Sequence, residues 1–283
     1  MWVTRTQRRR PPAPVTGRVP VSQKIDATEH AVRFTPAIPA QYYKDVIGCL
    51  SVMDAKGLRA VRVEKGWSQV KAARRLGVSQ PYLVMLERGQ RRLTSELARR
   101  AVQVYGVPPT AVPPSQSVPP RLPLAGAALA RDLAGLGYPA LAYLRPRRWK
   151  PKNPGEVLLA ALAQDDLEPR LVEALPWLVL RYLPLDWAWV VCAAKVHDLQ
   201  NRLGFVVSLA RSLAERAGDR RKVESLADLE RTLERSRLAR EDTLCRVSMP
   251  EAERRWLTVN RPAEARRWNL LTDWTAEVVR YVA

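Results

Sequence analysis

Histidine and cysteine are scarce in this chain, with 2 His and 3 Cys among 283 residues. His30 and His197 are too few for a His-based metal site or a Ser-His-Asp triad. Cys49, Cys192 and Cys245 lie far apart and form no CxxC pair, which excludes a sequence-encoded zinc ligand set or disulfide framework and fits a reducing cytoplasm. Neither GxGxxG nor GxxxxGK[ST] occurs, so no glycine loop is present to cradle nucleotide phosphates. The paired carboxylates Asp165 and Asp166 fall beside Pro169 at an expected helix end, where capping accounts for them without catalysis. An enzyme is therefore not expected, nor is a cofactor or a metal.

A long apolar run is missing too. The most apolar stretch, Ala174 to Val196, is broken by Arg181, Pro184 and Asp186, short of the roughly 20 apolar residues of a membrane span. Arg8 to Arg10 lead into prolines instead of the apolar core of a secretory signal. No membrane association is expected, and the cytoplasm is the expected compartment. Acidic residues are also in deficit, 28 Asp plus Glu against 47 Lys plus Arg, for a net +19. Such an excess places nucleic acid first among partners. The basic set is 38 Arg and 9 Lys, a skew that GC-rich coding alone could produce.

The chain divides by composition. Residues 1–52 carry Arg-Pro clusters and no helical or strand period, and are expected to be a disordered basic tail. Met53 opens a more regular stretch and is a candidate start of translation; alternatively the tail is an arm that tracks DNA phosphates. Residues 53–112 hold 12 basic and 4 acidic side chains, a net +8, against +5 in the tail and +6 in the remainder. Prolines crowd residues 113–123, a semi-stiff linker and an expected domain boundary. From 124 to 283 the apolar spacing is helical, as in Leu158, Leu159, Leu162 and Leu203, Val206, Ala210, Leu213. Stops at Gly137, Pro184, Gly204, Gly218, Pro250 and Pro262 predict seven to nine helices there. Seven of the 9 tryptophans sit in this segment and argue for a substantial core. The fold class is all-α.

The informative segment is Leu58 to Gly89, LRAVRVEKGWSQVKAARRLGVSQPYLVMLERG. Gly66 can end one helix in the left-handed conformation, and Ser68 can cap the next, about Gln69 to Leu76. Ala73 is small where helices cross, Gly77 supplies a tight turn, Val78 plugs the angle between helices, and Ser79 caps a third helix from Gln80 to Arg88. Stepping 100° per residue, Leu83 and Leu86 point one way. Pro81, Val84, Met85 and Arg88 point the other, with Gln80 on the flank. Pro81 is tolerable in the first turn. Apolar side chains on an outward face serve no folding purpose, whereas a helix in a DNA major groove can place them on thymine methyl groups.

Gln69-x3-Ala73-x3-Gly77-Val78-Ser79-x3-Leu83-x2-Leu86-Glu87-x-Gly89 resembles the Cro-type, lambda-repressor-like (XRE-type) helix-turn-helix family, from about Leu58 to Val112. The resemblance implies a five-helix domain in which Gln69 and Ser79 contact phosphates and the third helix reads bases. It carries those roles onto Gln69, Ser79, Gln80, Pro81, Val84 and Met85. Val84 and Met85 depart from the polar residues often found at their places. Arg88 can supply hydrogen bonds to guanine or phosphate, and Arg91 and Arg92 are placed for phosphate contact. The expectation is a sequence-specific transcriptional regulator that binds double-stranded DNA as a homodimer, with a larger C-terminal sensing or interaction domain. The alternative is an antitoxin-like autoregulator whose C-terminal domain neutralises a protein partner encoded beside it.

Two further features of the C-terminal segment have structural explanations in view. His197, Asp198, Gln200, Asn201 and Arg202 form a polar cluster in an apolar region, read as a satisfied internal network or a partner surface. Arg220 to Arg240 mixes charges with Leu226, Leu229, Leu233 and Leu238, as in a surface helix with internal ion pairs or a helix that pairs with a second chain.

Overall fold

A computed structural model describes residues 55–114 and 126–280. The expected tail, Met53 and most of the proline-rich linker lie outside the described residues. Four helices come first, α1 (Ala55–Glu64), α2 (Gln69–Leu76), α3 (Gln80–Glu87) and α4 (Ser95–Tyr105), followed by a 3-10 turn at Pro109–Ala111. Four α-helices of the implied five are thus present among the described residues. The starts of α2, α3 and α4 are set locally by caps. Ser68 Oγ accepts the Lys71 N–H at 3.2 Å, Ser79 Oγ the Tyr82 N–H at 3.3 Å, and Thr94 Oγ1 the Leu97 N–H at 3.3 Å. Gly77 closes α2 at φ +68°, a conformation that glycine adopts without strain. Leu58, Ala73, Leu76, Leu83, Leu86 and Tyr105 then meet in one apolar core.

Eight α-helices follow among the described residues: α5 (Gly126–Leu136), α6 (Pro154–Leu162), α7 (Pro169–Arg181), α8 (Trp187–Val196), α9 (Gln200–Arg216), α10 (Arg220–Glu234), α11 (Glu251–Asn260) and α12 (Ala263–Arg267). Added to these helices, among the described residues, are a parallel pair of two-residue strands, β1 (Asp242–Thr243) and β2 (Leu270–Leu271), and an isolated antiparallel bridge between Asp166 and Arg246. The central element is α9, which packs against α7, α8, α10 and α12. Gly204 does not stop this helix. It lies inside α9, because a Cβ there would overlap the ring of Trp268. That ring is fully buried, and its Nε1 donates to Ser208 Oγ at 2.8 Å. Trp256, by contrast, is 56% exposed and belongs to no core, unlike the other tryptophans of the segment.

Of the polar cluster at the start of α9, Asn201 and Arg202 belong to an internal network, while Asp198 faces Arg240 at the surface. Arg202 makes a two-pronged ion pair to Asp242, at 2.8 and 2.9 Å, and donates through Nη1 to the carbonyls of Leu162 and Gln164. Asn201 grips both backbone groups of Leu238, donating at 2.9 Å and accepting at 2.8 Å. Beside them the fully buried Cys245 thiol is pushed up to about 11 by burial. Asp165 and Asp166 do not cap a helix. Asp166 instead accepts from the N–H and hydroxyl of Ser248, at 2.9 and 2.7 Å, and pins the loop after β1. Leu226, Leu229 and Leu233 of α10 are buried within the chain, so they are not free to pair with a second copy.

The helix-turn-helix segment is tied to the C-terminal helices. Asn153 is buried at the start of α6, where its Oδ1 accepts the Gly155 N–H at 2.8 Å while its Nδ2 donates to the Val112 carbonyl at 2.7 Å. Gln103 of α4 donates to the Trp149 carbonyl at 2.9 Å.

Candidate nucleic-acid interface

The candidate interface is α3 together with the turn on either side of it. Leu83 and Leu86 anchor the helix in the core, at 0% and 1% exposure, which fixes the face it turns outward. Ser79, Gln80, Pro81 and Arg88 are exposed along it, and Arg91 and Arg92 are exposed just beyond. Val84 and Met85 are half-buried, less open than the outward angle alone predicts. Pro81 sits in the first turn of the helix. Its absent N–H costs no hydrogen bond there.

Beneath this face lies a buried ion pair that the sequence did not signal. The Arg62 guanidinium of α1 donates to both oxygens of Glu87 at the end of α3, at 2.5 and 3.0 Å, and also to the Trp67 carbonyl at 2.8 Å. Gln69 Nε2 donates to the same carboxylate at 3.1 Å. Burial acts to raise the Glu87 carboxyl, but the hydrogen bonds from Arg62 and Gln69 outweigh it and hold the group below the usual carboxylate range. Gln69, read from the sequence as a phosphate contact, is therefore half-buried with its amide committed to orienting Glu87. Three helices converge on one carboxylate, so the angle of α3 to α1 and α2 is fixed by charge as well as by packing.

Two further contacts were missed for the same reason, that they join distant positions. Arg100 of α4 donates to the Leu76 carbonyl at 2.9 Å and so satisfies the end of α2. Trp67 stacks at 5.3 Å on Tyr105, whose hydroxyl burial pushes up to about 12. The outer face of Trp67 carries the Arg75 guanidinium at 4.4 Å. Lys71, Arg74 and Arg75 make the exposed side of α2 basic. Among the described residues, no group of three or more His, Cys, Asp or Glu side chains could hold a metal ion. No described helix is long and apolar enough to cross a membrane.

Residues 58–112 match the family model described as helix-turn-helix, and this segment is a helix-turn-helix domain of the Cro type. A domain of this class marks the chain as a DNA-binding regulator. No curated protein and no solved structure matches the chain.

Proposed function

We propose that the chain is a sequence-specific regulator of transcription that places α3 in the major groove of duplex DNA and acts in the cytoplasm as a homodimer. The observation that carries this reading is the outward face of α3. Gln80 stands at its start, Pro81, Val84 and Met85 offer apolar contact, and Arg88, Arg91 and Arg92 follow. Apolar atoms suit thymine methyl groups, Gln80 suits the N6 and N7 edge of adenine, and the arginines suit guanine or phosphate. Ser79 doubles as the helix cap and a phosphate contact. Gln69 contributes by holding Glu87, and the second N–H of its Nε2 is left to donate to a backbone phosphate.

A single helix-turn-helix covers few base pairs, so two linked copies on half-sites about 34 to 36 Å apart gain affinity without new chemistry. The leucines of α10 are consumed internally, whereas α11 carries two exposed apolar side chains, Trp256 and Val259, at 56% and 71% exposure. Selection of duplexes from a random pool by the full-length chain tests the reading, together with sedimentation at micromolar concentration. A dimer that enriches a two-fold symmetric motif is the expected result. No enrichment would reject sequence reading. A monomer that binds tightly only with a protein encoded beside it would favour the antitoxin-like alternative.

A further inference from the structure

Residues 113–283 carry 27 basic and 21 acidic side chains, a net +6. Five of those charges, Arg145, Arg147, Arg148, Lys150 and Lys152, lie in one run of eight residues without a single carboxylate, which leaves the rest of the segment at +1. The excess charge of the C-terminal part is therefore one loop. Lys152 is spent on Asp132, at 2.6 Å. Arg145, Arg147, Arg148 and Lys150 are exposed, and none pairs with a carboxylate among the described residues. A coding bias toward arginine would scatter such charges; here they are gathered.

The backbone under these cations is held in place. Pro146, Pro151 and Pro154 restrict it, and the Trp149 ring covers Gly135, where a Cβ would overlap it. The C-terminal side of the stretch is tied to the helix-turn-helix, through the Trp149 carbonyl to Gln103 and through Asn153 to the Val112 carbonyl. The loop thus presents cations on a preset backbone bound to the DNA-reading domain, which lowers the entropy lost when they engage a ligand. Arginine forks match phosphate oxygens in two-pronged geometry.

We propose that the 145–150 loop is a second phosphate-contact surface, which grips the duplex backbone beside the base pairs read by α3. The proposal rests on the DNA reading above and extends it to residues outside the helix-turn-helix. Each phosphate contact contributes about 0.9 to the slope of log affinity against log salt. The full-length chain and its Arg145→Ala/Arg147→Ala/Arg148→Ala variant are titrated with a selected duplex of about 30 base pairs over a range of salt, and the slope is expected to fall by roughly 2 to 3. The corresponding triple Arg→Lys variant keeps the charge and is expected to keep the slope, which separates electrostatics from any loss of folding. An unchanged slope in the alanine variant, with wild-type binding intact, overturns the loop proposal and leaves the DNA reading standing. A wild-type chain that binds no duplex overturns both.

Discussion

Arg62 and Glu87 lie 25 residues apart on different helices, and their side chains are 11% and 3% exposed. At such burial, leaving one charge without its partner costs about 3 to 5 kcal/mol, far more than an exposed pair contributes. The pH dependence follows from the direction of the shift. A carboxyl held below its ordinary value of 4.5 stabilises the fold above that pH, and the contribution is lost as pH falls through the lower folded value. Urea unfolding between pH 3 and 7 should show wild type losing stability on acidification more steeply than Glu87→Gln, which is weaker at neutral pH by about 3 kcal/mol. Parallel curves would show that Glu87 is not ionised in the folded chain. Glu87 stands in the motif for any reader to see, but Arg62 does not. No local spacing connects them, and only the crossing of α1 over α3 brings them together. The bond from Gln69 to Glu87 was hidden for the same reason, since it is set by tertiary packing.

Elements whose limits depend on neighbouring residues were readable in advance. Ser68, Gly77 and Ser79 set the ends of α2 and α3 through contacts no more than a few residues long. Ser79→Ala removes the cap of α3 and is expected to cost about 1 kcal/mol by chemical denaturation, with a weaker hold on DNA of any sequence. Unaltered stability would mean that Tyr82 N–H finds water at no cost. Gly204 shows where such reasoning stops. A glycine in a helical pattern signals a break when only its flexibility is considered, yet α9 runs through it because its missing side chain makes a notch for Trp268. Trp268→Ala should cost about 3 to 5 kcal/mol, since it opens a cavity along the central helix and strands the Ser208 hydroxyl. A loss under 1 kcal/mol in equilibrium unfolding would place Trp268 outside the core.

At the scale of the whole molecule, the helix-turn-helix and the C-terminal helices share polar contacts, a buried one at Asn153 and an exposed one at Trp149, across a boundary that composition alone drew as a linker. The exposed face of α3 and the carboxylate network beneath it make the proposed DNA-reading unit, to which the helices that follow are joined. The central claim is that α3 reads base sequence, and the Gln80→Ala variant tests it most directly. Binding of wild type and variant is compared on the selected duplex and on a scrambled one at the same salt. Base contacts specify while phosphate contacts only position, so the variant should lose about 1 to 3 kcal/mol on the selected duplex and almost nothing on the scrambled one. Equal losses on both duplexes, or none on either, would contradict a reading role for α3.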